Sequence, residues 1–126
     1  DAAGRMAGTP VVPVEGHEQV TACLVDRTGG VHAVSNRSAY VVWDPVSGAV
    51  VMREDCGRFG APVQAGGVRG SDGELYVLFE RAVTRVDIEA RTLRPVHVPA
   101  RPITIGGAAL GGALYFGCGH ELRRCG

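Results

Sequence analysis

The chain has 126 residues, 45% of them apolar and 21% charged, the balance of an ordinary folded domain and not of a disordered segment. Thirteen basic and thirteen acidic residues give a formal net charge of zero, which excludes a general electrostatic pull towards nucleic acid or an anionic membrane. No apolar run approaches the ~20 residues that cross a bilayer, so no membrane span is expected.

All 13 basic side chains are arginine, read first as the compositional bias of a bacterial host and only second as selection for bidentate anion contacts. The chain opens at Asp1 with no initiator methionine and no charged-then-apolar signal segment. It is therefore expected to be a processed product, a designed chain or a piece of a longer one. Localisation, cytoplasmic or secreted, stays open. Cys23, Cys56, Cys118 and Cys125 allow three disulfide pairings or none. No CxxC is present and the His/Cys spacing fits no zinc template, so ordinary thiols are expected.

In chain order, Thr9 to Glu15 reads as an edge strand, because Pro10 and Pro13 cannot donate to a ladder. Val20–Val25, Val31–Val34, Ala39–Trp43 and Ala49–Arg53 then follow as strands. They are punctuated by the Gly29-Gly30 turn, a tight polar turn at Ser35 to Ser38, and the turn Asp44-Pro45-Val46-Ser47-Gly48. The second unit has a poor first strand within Ala61–Val68, then Leu75–Phe79, Val83–Val86 and Leu93–Val98. The third has a Gly/Ala-rich strand opening at Ile103, then Leu114–Phe116 and Leu122–Cys125. The central runs YVVW, LYVLF and ALYF are apolar at every position, which implies sheets covered on both faces.

The frame from Gly30 to Asp44 recurs from Gly73 to Asp87 and from Gly112 to Gly126, each fourteen residues on from its glycine and read without a gap. Asp1, Asp44 and Asp87 stand 43 residues apart. One domain, 1–126, with three repeats is expected: 16–54, 55–99, and 100–126 lacking its outer strand, with 9–15 supplying that strand. Repeats of ~40–45 residues with four strands each have the period and content of propeller blades.

Gly16-His17 followed by Trp43-Asp44, with VTACLV, GGVHAVS and YVVWD between them, resembles the GH…WD signature of WD-repeat or quinoprotein-like β-propellers. The likeness covers the first repeat and persists in the second only at Val86-Asp87. It implies an all-β fold of four-stranded antiparallel blades, three per chain. It also implies a hydrogen-bonded brace within the blade, for which His17, Trp43 and Ser35 match while Asn36 or Arg37 replaces the turn aspartate. Three blades are fewer than the about four to eight of natural propellers. A second copy, or the rest of a longer chain, is then expected to supply further blades. A β-trefoil, also three four-stranded repeats, is the alternative fold.

The chain has no P-loop, HExxH, GxSxG elbow or EF-hand loop, so no catalytic residue, metal or cofactor is assigned, and enzymatic activity is not expected. Asp44 and Asp87 occupy one turn position and are assigned structural roles. The glycines at 66–67 and 106–107 are read as tight inner strands near a ring axis. In a WD-like blade the second-to-third strand turns and the blade-to-blade loops share one mouth. That places Asn36, Arg37, Arg81 and His120 there, with Arg58, Phe59 and Arg101 from the loops. Arginines with one aromatic suit an acidic or carboxylate-bearing partner. The resemblance to WD-repeat proteins implies a non-enzymatic module binding or scaffolding a protein or peptide, which is the leading expectation. A lectin would need aromatics at equivalent positions, and only Tyr76 and Tyr115 match, with Ala33 breaking the set. A fragment of a larger propeller-containing enzyme is the third.

Overall fold

The computed structural model describes residues 11–16 and 19–126. His17, expected in the brace, lies outside them, as do Thr9 and Pro10. The fold is all-β. Strands β1 (Val20–Val25), β2 (Val31–Ser35), β3 (Ala39–Asp44) and β4 (Ala49–Asp55) form one sheet in that order. A single 3-10 turn, Gly57–Phe59, leads to β5 (Pro62–Arg69), β6 (Leu75–Phe79), β7 (Ala82–Asp87) and β8 (Thr92–His97) in a second. The third sheet has β9 (Ile105–Leu110), β10 (Ala113–Cys118) and β11 (Glu121–Cys125). All pairings are antiparallel and each stays within its own sheet. A β-trefoil builds its barrel by pairing strands of different repeats; no such pairing exists among the described residues, so that alternative falls.

The first strands of the three sheets lie side by side, β1 along β5 and β5 along β9. Glycine makes this possible. A Cβ on Gly106 would stand 2.8 Å from Gly66 Cα and 3.0 Å from Ala65 O, closer than real contacts allow. The Gly/Ala richness of β9, and the glycine pair in β5, thus follow from two backbones in near contact.

Side chains fill the spaces between sheets in two layers. Val34, Tyr40 and Val42 of the first sheet meet Leu75, Val77 and Phe79 of the second, with Cys56 and Phe59 from the connecting segment. Leu78 and Val83 meet Leu114 and Phe116 of the third sheet, with Ile103. Strand β6 feeds both layers from its two faces, which is why LYVLF carries no polar alternation. Each such side chain contributes ~1.5–3 kcal/mol on burial.

Two expectations change. The repeat frame is not gapless. Val31 faces Trp43, whereas Tyr76 faces Arg85 and Leu114 faces Cys125. The β2–β3 turn holds three residues, Asn36 to Ser38, where the other two sheets use two, and Ser38 absorbs the extra one at φ 61°. Gly29 (φ 90°) therefore matches Gly73 (φ 83°), and His32 instead of Ala33 stands where Tyr76 and Tyr115 stand. Secondly, Val11–Glu15 is coil, bend and turn, not strand. Val11, Val12, Pro13 and Val14 line a cleft of about 260 Å³ with Val20 and Val41 on the first sheet, and Pro13 O accepts a 2.9 Å bond from Arg53 Nη2. Pro13 removes a donor from the middle of this segment, where a ladder would need one. Pro95 does sit in an edge strand, β8, beside a bulge at Val83/Thr84.

Candidate functional site

The second-to-third strand turns and the inter-sheet loops are stitched into one rim. Ser38 Oγ donates to Gly60 O (2.7 Å), the Arg81 amide to Phe59 O (2.9 Å), and the Ile103 amide to Glu80 O (2.9 Å). The residues expected at a mouth divide sharply here. Arg37, Arg81 and His120 are exposed. Arg58 is held by Glu54 (3.1 Å), and Arg101 by Glu121 (2.7 Å), which also accepts from Arg123. Asn36 is half-buried, its Oδ1 3.5 Å from the Gln19 amide. Phe59 is 6% exposed and belongs to the core: its ring lies 5.4 Å from that of Phe79, with the Arg58 guanidinium 4.3 Å above it. The backbone turn Gly57–Phe59 folds the ring inward because the apolar gap beside Phe79 and Cys56 is there to receive it.

A polar chain that the sequence reading missed crosses the first sheet. Asp26 Oδ2 lies 2.6 Å from His32 Nε2, and His32 Nδ1 lies 2.7 Å from the Tyr40 hydroxyl. Asp26 Oδ1 accepts from the Thr28 amide (2.7 Å), the Thr28 hydroxyl (2.6 Å) and the Gly30 amide (3.1 Å). Burial alone would push the Asp26 carboxyl up; the hydrogen bonds from the Thr28 hydroxyl, His32 and the two amides outweigh it and hold it at about 2. An ionised Asp26 accepts from His32 Nε2–H, and in the neutral imidazole that tautomer leaves Nδ1 to accept from Tyr40. Burial, then the nearby Glu54 carboxylate, raises the Tyr40 hydroxyl far above its usual range, so it serves only as a neutral donor. The clue in the sequence is facial: His32 pairs with Val42 and Tyr40 with Val34, so both rings project from one side of the hairpin.

Among the described residues, Trp43 enters no brace. Its Nε1 is buried and has no hydrogen-bond partner among them. Ser35 Oγ accepts the Arg37 and Ala39 amides, both at 3.2 Å. The turn aspartates bond locally: Asp44 Oδ1 to the Val46 amide (3.0 Å), Asp87 to the Ala90 amide (3.0 Å) and Arg94 (2.7 Å). The Ala90 amide and Arg94 hold the Asp87 carboxyl below its usual range. All four cysteines are free thiols, and no group of three or more His, Cys, Asp or Glu gathers as for a metal among the described residues. Among those residues no helix is long and apolar enough to cross a membrane.

No protein-family model matches this chain, and no curated protein matches it.

Proposed function

We propose that the three sheets are successive blades of a WD-like propeller, completed by a second copy of the chain, and that the rim carrying Arg37, Arg81 and His120 binds an acidic segment of a protein or peptide. The observation that carries this reading is the alignment of β1, β5 and β9, with glycine backbones in near contact at one side. In this reading the outer strands fan away from a common line, and the turns between second and third strands share one rim. Two further features support completion from outside. Leu110 (72% exposed) and Leu122 (78% exposed) leave the far side of the third sheet apolar and open, and among the described residues β11 has no partner beyond β10.

The binding half follows from which cations are already engaged. Arg58 is paired with Glu54, and Arg101 shares Glu121 with Arg123, so the rim arginines without an ion pair among the described residues are Arg37 and Arg81. Exposed guanidiniums favour bidentate pairing with carboxylates. The test passes the protein over immobilised peptides rich in Asp and Glu, beside neutral controls, at low and high salt. Wild type is expected to be retained by the acidic peptides and released by salt. The triple variant Arg37→Ala, Arg81→Ala, His120→Ala is expected to pass through. Equal retention of both proteins would overturn the rim. Light scattering after size exclusion tests the ring: a mass near twice 13.2 kDa is expected, and a stable monomer sinks the two-copy arrangement.

A further inference from the structure

The opposite end of the first sheet holds a cavity of about 440 Å³ that the rim does not use. Thr28, Trp43 and Asp44 line it from the first sheet, and Glu89 and Arg91 from the β7–β8 turn of the second, with the Asp26–His32 pair on its wall. We infer that this cavity is a binding site for a small saccharide, held between the two sheets. The inference is independent of the rim and of ring completion, since the cavity lies wholly within one chain.

Three observations converge. Trp43 lines this wall with its indole, whose Nε1 is itself closed off from solvent and so is not open to a ligand in the cavity. Among those residues the side chains of Glu89 and Arg91 make no hydrogen bond or ion pair, and Asp44 uses only Oδ1, for its own turn. The site thus offers an unspent donor (Arg91), unspent acceptors (Asp44, Glu89) and an aromatic ring. A polyol meets that mixture, because each hydroxyl both donates and accepts while its C–H face packs on indole.

The other two observations come from comparing the chain with itself. In the second sheet the positions of Asp26, His32 and Tyr40 are filled by Gly70, Tyr76 and Val83, without a buried carboxylate. The sheet framework therefore does not need the polar chain, which instead fixes the wall of this one cavity rigidly. Likewise Arg91 (φ 53°) occupies the left-handed turn position that Gly48 (φ 72°) occupies in the first sheet. An arginine is kept in a glycine conformation at the cavity mouth, a conformation that side chains adopt reluctantly.

Trp43 is the only tryptophan, so its fluorescence reports the site directly. The experiment titrates the whole chain with a panel of methyl glycosides of neutral hexoses, and with free arginine and glutamate as controls. At least one glycoside is expected to shift or quench the emission saturably. Arg91→Gly is expected to weaken that response at least tenfold while leaving the melting temperature unchanged or higher, since glycine relieves the backbone. Asp44→Asn should weaken it as well, with circular dichroism confirming a wild-type fold. Silence across the glycosides, a response only to the amino acids, or a glycoside response unaltered in both variants would each overturn the site. Neither result bears on acidic-peptide retention at the rim, so the two readings fail separately.

Discussion

Asp26 and His32 are joined by a 2.6 Å hydrogen bond with both side chains almost wholly removed from water, 3% and 1% exposed. The carboxylate has four further reasons to stay ionised or in place: two bonds from Thr28, one from Gly30, and a histidine itself pinned by Tyr40. Breaking a buried pair by removing one partner is costly because the other is left uncompensated. Asp26→Asn is expected to destabilise the fold by about 3 kcal/mol, read from urea midpoints at pH 7.

The same group gives the stability a pH dependence of definite sign. Its folded pKa, about 2, lies below the ordinary carboxylate value, so it contributes stability at pH above ~4 that is lost as pH falls towards 2. Between pH 5 and 2 the wild type should lose on the order of 2 kcal/mol more than Asp26→Asn does. Parallel curves for the two proteins would show that Asp26 is not the group responsible.

Phe59 separates packing from recognition. As a core residue with its ring tilted against that of Phe79, its replacement by alanine is expected to cost about 3–5 kcal/mol. Arg37→Ala and Arg81→Ala, at exposed positions, should each stay within about 0.5 kcal/mol of wild type. A thermal melt of the three variants decides it; a near-neutral Phe59→Ala would return that ring to the rim.

Gly106 tests the near contact of β5 and β9. A valine there meets Gly66 Cα and Ala65 O, which are backbone atoms with no rotamer to yield. Destabilisation of about 1–3 kcal/mol is expected, with increased binding of an apolar dye as the sheets part. Gly73→Ala serves as the contrast: its Cβ would meet nothing, and only the positive φ (83°) resists, so the dye should not respond.

The thiols should label in order of access. Cys23 is exposed, whereas Cys56 is buried and burial, then Glu54, pushes its thiol up to about 12. At pH 8 a thiol reagent is expected to modify Cys23 rapidly and to reach Cys56 and Cys118 only after denaturation. Immediate reaction at Cys56 would mean that the layer between the first two sheets opens readily.

Strand positions were largely legible because turn chemistry brackets them: Gly29, Gly48 and Gly73 all take positive φ, where other residues are strained. The unbroken apolar run Leu75–Phe79 likewise announced a strand with two buried faces. What escaped was register. The extra residue at Asn36–Ser38 is polar like its neighbours, so nothing in composition marks it, yet it moves His32 onto the face of Tyr40. The polar chain was invisible for the same reason: its members are separated by a turn and meet only once that register is fixed. Phe59 misled because an aromatic between an arginine and a glycine reads as exposed loop, and only the depth of the gap beside Phe79 shows otherwise.

Among the described residues strand ladders do not pass from one sheet to the next; neighbouring sheets are joined by side chains, and by loop amides at the rim. Gene duplication could therefore lengthen such a protein one unit at a time, each newcomer needing only a small inner strand and a complementary apolar flank. Growth of that kind alters how many sheets stand side by side without rewriting any hairpin already present.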